Sequence, residues 1–141
     1  MAWSLSFDVR KNYDTRQVGI TVPVTLQAGG LSVDVTTKLD CGAANCVFAR
    51  AWGEGLGLNI ESGYLQSFST VTGSFPAYGH EVVMQIYRME IEAMVFFAAD
   101  ESFDRDVLGL TGFIDRVQLG LLHQTGEIYL SRYDGNPQQT Q

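Results

Sequence analysis

Asp40 heads the stretch of this chain best suited to chemistry. In Leu39-Asp40-Cys41-Gly42-Ala43 an apolar lead-in delivers a carboxylate to a turn made of small residues. Gly42 lets the backbone bend sharply and lets a ligand or another chain come close, and Ala43 adds almost no bulk. A carboxylate held there is placed for general acid and base work. Hydrolysing an amide in that way takes two carboxyls, one to draw a proton from water and one, kept protonated, to polarise the carbonyl. Two such groups close together share one proton, because both cannot stay charged at that distance.

Other reactive side chains are less well placed. His80 and His123 are the only histidines and stand far apart, with no carboxylate or Cys at metal-ligand spacing, so they read as surface or packing residues and no metal or cofactor is expected. Cys41 and Cys46 are too few for a disulfide framework and lack the paired spacing of a zinc site, which leaves free thiols. Cys41 has no helix N-terminus immediately after it to activate a thiol nucleophile, and no Gly-x-Ser-x-Gly elbow occurs. Gly53, Gly55 and Gly57 follow a helical segment instead of linking a strand to a helix, unlike a phosphate loop. The acidic stretch 100–106 lacks the ligand spacing of a calcium loop and reads as a solvated loop.

The elements that must position Asp40 are mostly strands. Leu31, Val33, Val35, Thr37 and Leu39 alternate with Ser32, Asp34, Thr36 and Lys38, the period-2 pattern of a half-buried strand that Asp40 closes. Ile20, Val22, Val24 and Leu26 alternate likewise, Pro23 argues for a sheet edge, and Ala28-Gly29-Gly30 turns this strand back onto the next. Trp3, Leu5, Phe7 and Val9 share one face of an expected first strand. Residues 47–52 suit one or two turns of helix before the glycines stop it. A hairpin is expected over residues 69–79, with Thr72, Gly73 and Ser74 at its tip and an irregular second arm caused by Pro76. Strands follow at 82–86 and 89–97, turning at Tyr87-Arg88, and at 117–122 and 127–130; residues 112–116 suit a brief helix. Residues 1–133 therefore read as a single domain, and the polar, turn-rich 134–141 as a flexible C-terminal tail.

Composition bounds the rest. At 141 residues, with 45% hydrophobic and 18% charged, the chain can bury a core and is not disordered throughout. A net charge of −7, with nine Lys and Arg spread along the chain, disfavours nucleic acid. No window of about 18 apolar residues occurs, so no membrane span is expected. The first eight residues alternate like a strand and meet charge at Asp8, unlike a signal peptide, and the expected location is cytoplasmic.

Asp40-Cys41-Gly42-Ala43 resembles the Asp-Thr/Ser-Gly-Ala signature of retropepsin-like aspartic peptidases, the single-lobe relatives of pepsin. Val107-Leu108-Gly109 is similar to that family's hydrophobic-hydrophobic-Gly element, which crosses under the active-site loop, and the 69–79 hairpin falls where the family keeps its flap. The resemblance implies a mostly β fold, a closed β-barrel half-lobe with one or two short helices, internally duplicated. In that duplication the Asp40 turn and the Val107-Leu108-Gly109-Leu110 segment are expected to occupy matching places. It also implies an aspartic endopeptidase with Asp40 catalytic, Cys41, Gly42 and Ala43 forming the active-site loop, Leu108 and Gly109 crossing it, and Thr72, Gly73 and Ser74 closing over a peptide substrate.

One such motif per chain means a working site takes two chains, each supplying Asp40 across a two-fold axis, so a homodimer is expected. Cys41 departs from the family's Thr or Ser, whose hydroxyl locks the two loops together; a thiol is larger and a weak donor. A dimerisation or peptide-binding module of weak or no activity is therefore the alternative. Ala43 offers no hydroxyl to the shared charge, so work at mildly acidic to neutral pH is expected.

Overall fold

The computed structural model describes residues 1–133; the segment 134–141, expected as a tail, lies outside the described residues. Its strands are β1 (Val9–Asn12), β2 (Ile20–Ala28), β3 (Leu31–Leu39), β4 (Val47–Phe48), β5 (Tyr64–Thr70), β6 (Gly73–Ile86), β7 (Met89–Ala98), β8 (Val107–Leu108), β9 (Val117–Leu122) and β10 (Glu127–Arg132). One short helix, α1 (Arg50–Gly55), follows β4, and single 3-10 turns stand at Ile60–Ser62 and Ile114–Arg116.

Two tight hairpins build the barrel. Gly29 and Gly30 both take positive φ, 55° and 82°, which sets Ala28 opposite Leu31 and gives β2 and β3 nine paired residues. Tyr87, at φ 54°, does the same between β6 and β7, with Ile86 opposite Met89. The sheet runs β2-β3-β8-β4-β7-β6-β5, and Thr25, Leu26 and Gln27 of β2 pair back to Gln85, Met84 and Val83 of β6. That last pairing closes the barrel, leaving β5 outside it on the other half of β6. Pro23 pairs with Thr36 and lies short of the β6 contact, so its missing N–H falls on an unpaired edge as expected. A second sheet, β1-β10-β9, pairs the first strand with the last two.

Internal duplication is visible in the pairing. β3 runs parallel to β8, with Leu39 opposite Leu108, and β7 runs parallel to β4, with Phe97 opposite Phe48. Val47 and Val107 face one another antiparallel between them. The backbone repeats the relation: the Lys38 N–H donates to Asp106 O and the Phe96 N–H to Cys46 O, each at 2.9 Å. Val107-Leu108 thus matches Val47-Phe48, not the Asp40 turn as the sequence suggests, because pairing partners and not residue types define the repeat. By this register the residue matching Asp40 is Ala98.

Apolar faces of these strands form the core. Val22, Val24, Leu26, Val35, Met84, Ile86, Ile91, Phe48, Phe97, Leu108 and Phe113 are buried together, and buried Thr37 satisfies its hydroxyl on Val22 O at 2.7 Å. A smaller cluster, Val47, Ala77 and Phe96, sits under the base of the β5–β6 hairpin. There Phe68 meets Phe75 and Phe96 at centroid distances of 5.6 and 5.1 Å, and Phe75 meets Phe103 at 4.6 Å. Such aromatic pairs add about 0.5–1.5 kcal/mol each beyond their buried area, so the hairpin leaves the barrel from a fixed base.

Four local expectations are corrected. Trp3 and Leu5 are exposed, at 91% and 61%, and the first strand begins only at Val9. Before it, the Asp8 N–H donates to Ser131 Oγ and that hydroxyl donates to Ser6 O, so side-chain bonds replace the ladder; alternation alone does not supply a strand partner. Val47 and Phe48 are strand, and the helix instead includes Gly53 and Gly55. A Cβ on Gly53 would lie 2.5 Å from Ile60 and 2.9 Å from Phe97, so close packing outweighs helix propensity there. Finally, only Val71 and Thr72 separate β5 from β6; Gly73 and Ser74 belong to the second arm, opposite Thr70 and Ser69. Pro76 causes no irregularity: it stays in register opposite Ser67, and its main-chain oxygen accepts the Ala99 N–H at 3.0 Å just beyond the Ala77–Ala98 pair.

Candidate active site

Period-2 geometry brings Asp40 to the surface. Val35 and Thr37 are buried while Thr36, Lys38 and Asp40 are exposed, so the carboxylate continues the solvent face of β3. Its own N–H donates to Leu108 O at 2.9 Å, one residue beyond the Leu39–Leu108 pair, which fixes the main chain. Asp40 Oδ1 accepts the Gly42 N–H at 2.8 Å, and the Ala43 N–H donates to Asp40 O at 3.2 Å. This side-chain-closed turn fixes the carboxyl orientation. A Cβ at Gly42 would stand 3.2 Å from Oδ1, so the glycine keeps that bond uncrowded.

Leu108 and Gly109 lie against this turn. The Leu110 N–H donates to Ala43 O at 2.8 Å and the Thr111 N–H to Ala44 O at 2.9 Å, and Asn45 bridges Thr111. Gly109 is pressed against the loop so closely that a Cβ would lie 2.3 Å from Asn45 O and 2.7 Å from Ala43 O. Asp40, Cys41, Gly42, Ala43, Leu108 and Gly109 are therefore one assembly. Thr72, Gly73 and Ser74 are exposed at the far end of the β5–β6 hairpin and line no part of the recess beside Asp40.

That recess, about 510 Å³, is bounded by Thr36, Lys38, Asp40, Asp104, Arg105 and Asp106 among others. Sequence reasoning missed Lys38 and Arg105 as neighbours of the site. Lys38 was legible, being two residues before Asp40 on one strand face; Arg105 was not, because the β3–β8 pairing brings it there. Asp106 is half-buried, and its Oδ1 accepts the Ala49 N–H at 2.9 Å while its main-chain oxygen accepts the Lys38 N–H. Burial pushes its carboxyl above the ordinary value, against the lowering by that bond and by the Trp52 side chain. A recess of about 550 Å³ on the β2–β3 hairpin offers one carboxylate, Asp34, already taken by Thr25 Oγ1 at 2.7 Å.

Both histidines are occupied structurally, His80 Nε2 with Ile60 O at 2.9 Å and His123 Nδ1 with the Tyr13 hydroxyl at 2.8 Å. The cysteines differ sharply. Cys41 is exposed, whereas Cys46 is buried beneath the crossing element, its Sγ accepting the Gly109 N–H at 3.5 Å. Burial pushes the Cys46 thiol up to about 11. A thiol-specific reagent at neutral pH is therefore expected to modify Cys41 alone in the folded protein and both residues in denaturant. Mass spectrometry of the labelled peptides checks this, and prompt labelling of Cys46 in the native state would contradict the packing of the crossing element.

No protein-family model and no curated protein sequence matches the chain. Solved structures do. A retropepsin-like aspartic protease from Rickettsia conorii superimposes with a TM-score of 0.61 at 11% identity, over 87% of this chain and 97% of that one. The EIAV protease complexed with the inhibitor HBY-793 aligns with a TM-score of 0.48 at 18% identity, over 74% of this chain and 88% of that one.

Proposed function

From its retropepsin-like fold, we propose that this chain, through residues 1–133, forms a homodimeric aspartic endopeptidase whose active site is completed by two Asp40 carboxyls across a two-fold axis. The observation that carries this reading is internal to the fold. The duplication sets Ala98 where Asp40 stands in the first half, so one chain supplies one carboxylate on an exposed, backbone-fixed turn. A second copy supplies the other. One Asp40, ionised, takes a proton from water as the water oxygen attacks the scissile carbonyl; its protonated partner donates to the carbonyl oxygen, and a proton then passes to the departing amine nitrogen. An extended peptide would lie along Gly42 and Ala43 by strand addition. The β5–β6 hairpin, with Thr72, Gly73 and Ser74, would close over it as a flap. Free thiols suit a cytoplasmic setting.

Cys41 favours a second reading. An exposed thiol stands where the signature of such enzymes has a hydroxyl, and a thiol donates weakly across a dimer axis. On that reading the same dimer binds peptides with little or no turnover. Sedimentation of the protein and incubation of a mixed peptide pool with wild type and Asp40→Asn separate the two. New peptide ends from a wild-type dimer, absent with Asp40→Asn, are expected. A monomer, or cleavage that survives the substitution, overturns the catalytic reading, and peptide binding without new ends favours the module.

A further inference from the structure

The chain is acidic overall, at −7, yet two of its nine Lys and Arg residues line the recess beside Asp40. Neither Lys38 nor Arg105 joins an ion pair among the described residues; Arg10, Arg16 and Arg50 make those. The Lys38 side-chain stem lies across Gly19, where a Cβ would stand 3.4 Å from its Cδ. Lys38 and Asp40 share one face of β3, which sets them about 7 Å apart along the strand, the span of two residues of an extended peptide. Three carboxylates also border the recess, Asp40 itself, Asp104 and Asp106. Asp106 is turned onto the Ala49 N–H, which leaves exposed Asp104 as the free acid opposing two free cations.

We propose that this recess is a specificity pocket for an acidic peptide side chain, Asp or Glu, lying within two residues of the bond placed over Asp40. The inference rests on the peptidase reading for its cleavage consequences, though not for binding. A carboxylate entering the recess meets two cations that make no direct ion pair with the carboxylates around them, and an Arg–carboxylate bond is a strong, directional, charge-assisted one. A cationic side chain in the same place meets repulsion from both.

Amidated peptides identical except for Glu, Gln or Lys at that position test it, since the side chain is then the carboxylate that varies. At low salt, wild type should cleave the Glu peptide about tenfold better in kcat/KM than the Gln peptide, and salt should shrink the gap. Arg105→Gln should shrink the ratio and Lys38→Glu with Arg105→Glu should invert it in favour of Lys. An unchanged ratio in variants that still cleave overturns the pocket. Should wild type cleave nothing, the peptidase reading fails by itself, and fluorescence anisotropy with labelled peptides decides the pocket. Tighter binding of Glu than Gln, lost in Arg105→Gln, supports it; equal or absent binding of the Glu peptide overturns it.

Discussion

Co-refolding wild-type chains with an equal amount of Asp40→Asn chains is expected to leave about one quarter of the peptidase activity of the same total protein, because the site needs a matched pair. Random pairing makes the fraction of fully acidic dimers the square of the wild-type fraction. A site complete within one chain would instead retain about one half. The reason lies in the roles. An Asp–Asn pair keeps a group able to accept a proton and loses the one that donates to the carbonyl oxygen, and an Asn–Asn pair loses both. General acid and base groups of this kind contribute on the order of 10²–10⁴ in rate, so Asp40→Asn homodimers should fall about a thousandfold. Asp40 is exposed, and its side-chain bond to the Gly42 N–H can be made by the Asn oxygen, so melting temperature should change little. Titrating the mixing ratio and fitting activity to a line or a parabola gives the answer. A straight line would mean that each chain works alone, and the shared-proton account would be lost.

Local periodicity made the barrel legible before its pairing was known. The nine alternating residues of β3, the Gly29-Gly30 turn and the Tyr87-Arg88 turn each stand where the pattern puts them, because each depends on neighbours in sequence. The Asp40 turn was legible for the same reason: its bonds run between Asp40, Gly42 and Ala43. What depends on distant partners was not. Trp3 and Leu5 alternate as strand residues do and have no strand to pair with, and Val47-Phe48 carries no mark that Phe96-Phe97 will lie beside it. Gly53 reads as a helix stop, while the helix tolerates it because Ile60 and Phe97 leave no room for a side chain. The order of turns and short helices suggests a repeat, but its true match, Val47 with Val107, is a property of the ladder. Arg105 escaped notice for the same cause, an acidic loop in sequence becoming one wall of the Asp40 recess in space.

Gly109→Ala should be the most damaging single-methyl change in the site. Gly109 is buried with a backbone conformation open to any residue, so the penalty is steric. The added Cβ meets the main-chain oxygens of Asn45 at 2.3 Å and of Ala43 at 2.7 Å, closer than real Cβ contacts come. A flexible side chain would swing aside. These oxygens cannot do so cheaply, because Ala43 O is bonded to the Leu110 N–H and Asn45 is bridged to Thr111. Relief must come from sliding the crossing element away from the loop, which also loads the Cys46 Sγ contact and the Asp40–Leu108 bond. Overpacking of this kind costs about 1–3 kcal/mol, so a fall in melting temperature of roughly 10 °C is expected at this chain length. Displacing Asp40 by a fraction of an ångström adds a loss in turnover, on the order of 10²-fold where geometry is strict. Gly29→Ala is the control. Its φ of 55° makes alanine strained, by about 1 kcal/mol, but nothing lies within 4 Å and the turn is remote from Asp40 along β3. The two variants should therefore part company in activity per folded molecule, Gly29→Ala matching wild type and Gly109→Ala falling far below it. A Gly109→Ala protein as stable and as active as wild type would show that the crossing element does not hold the carboxylate in place.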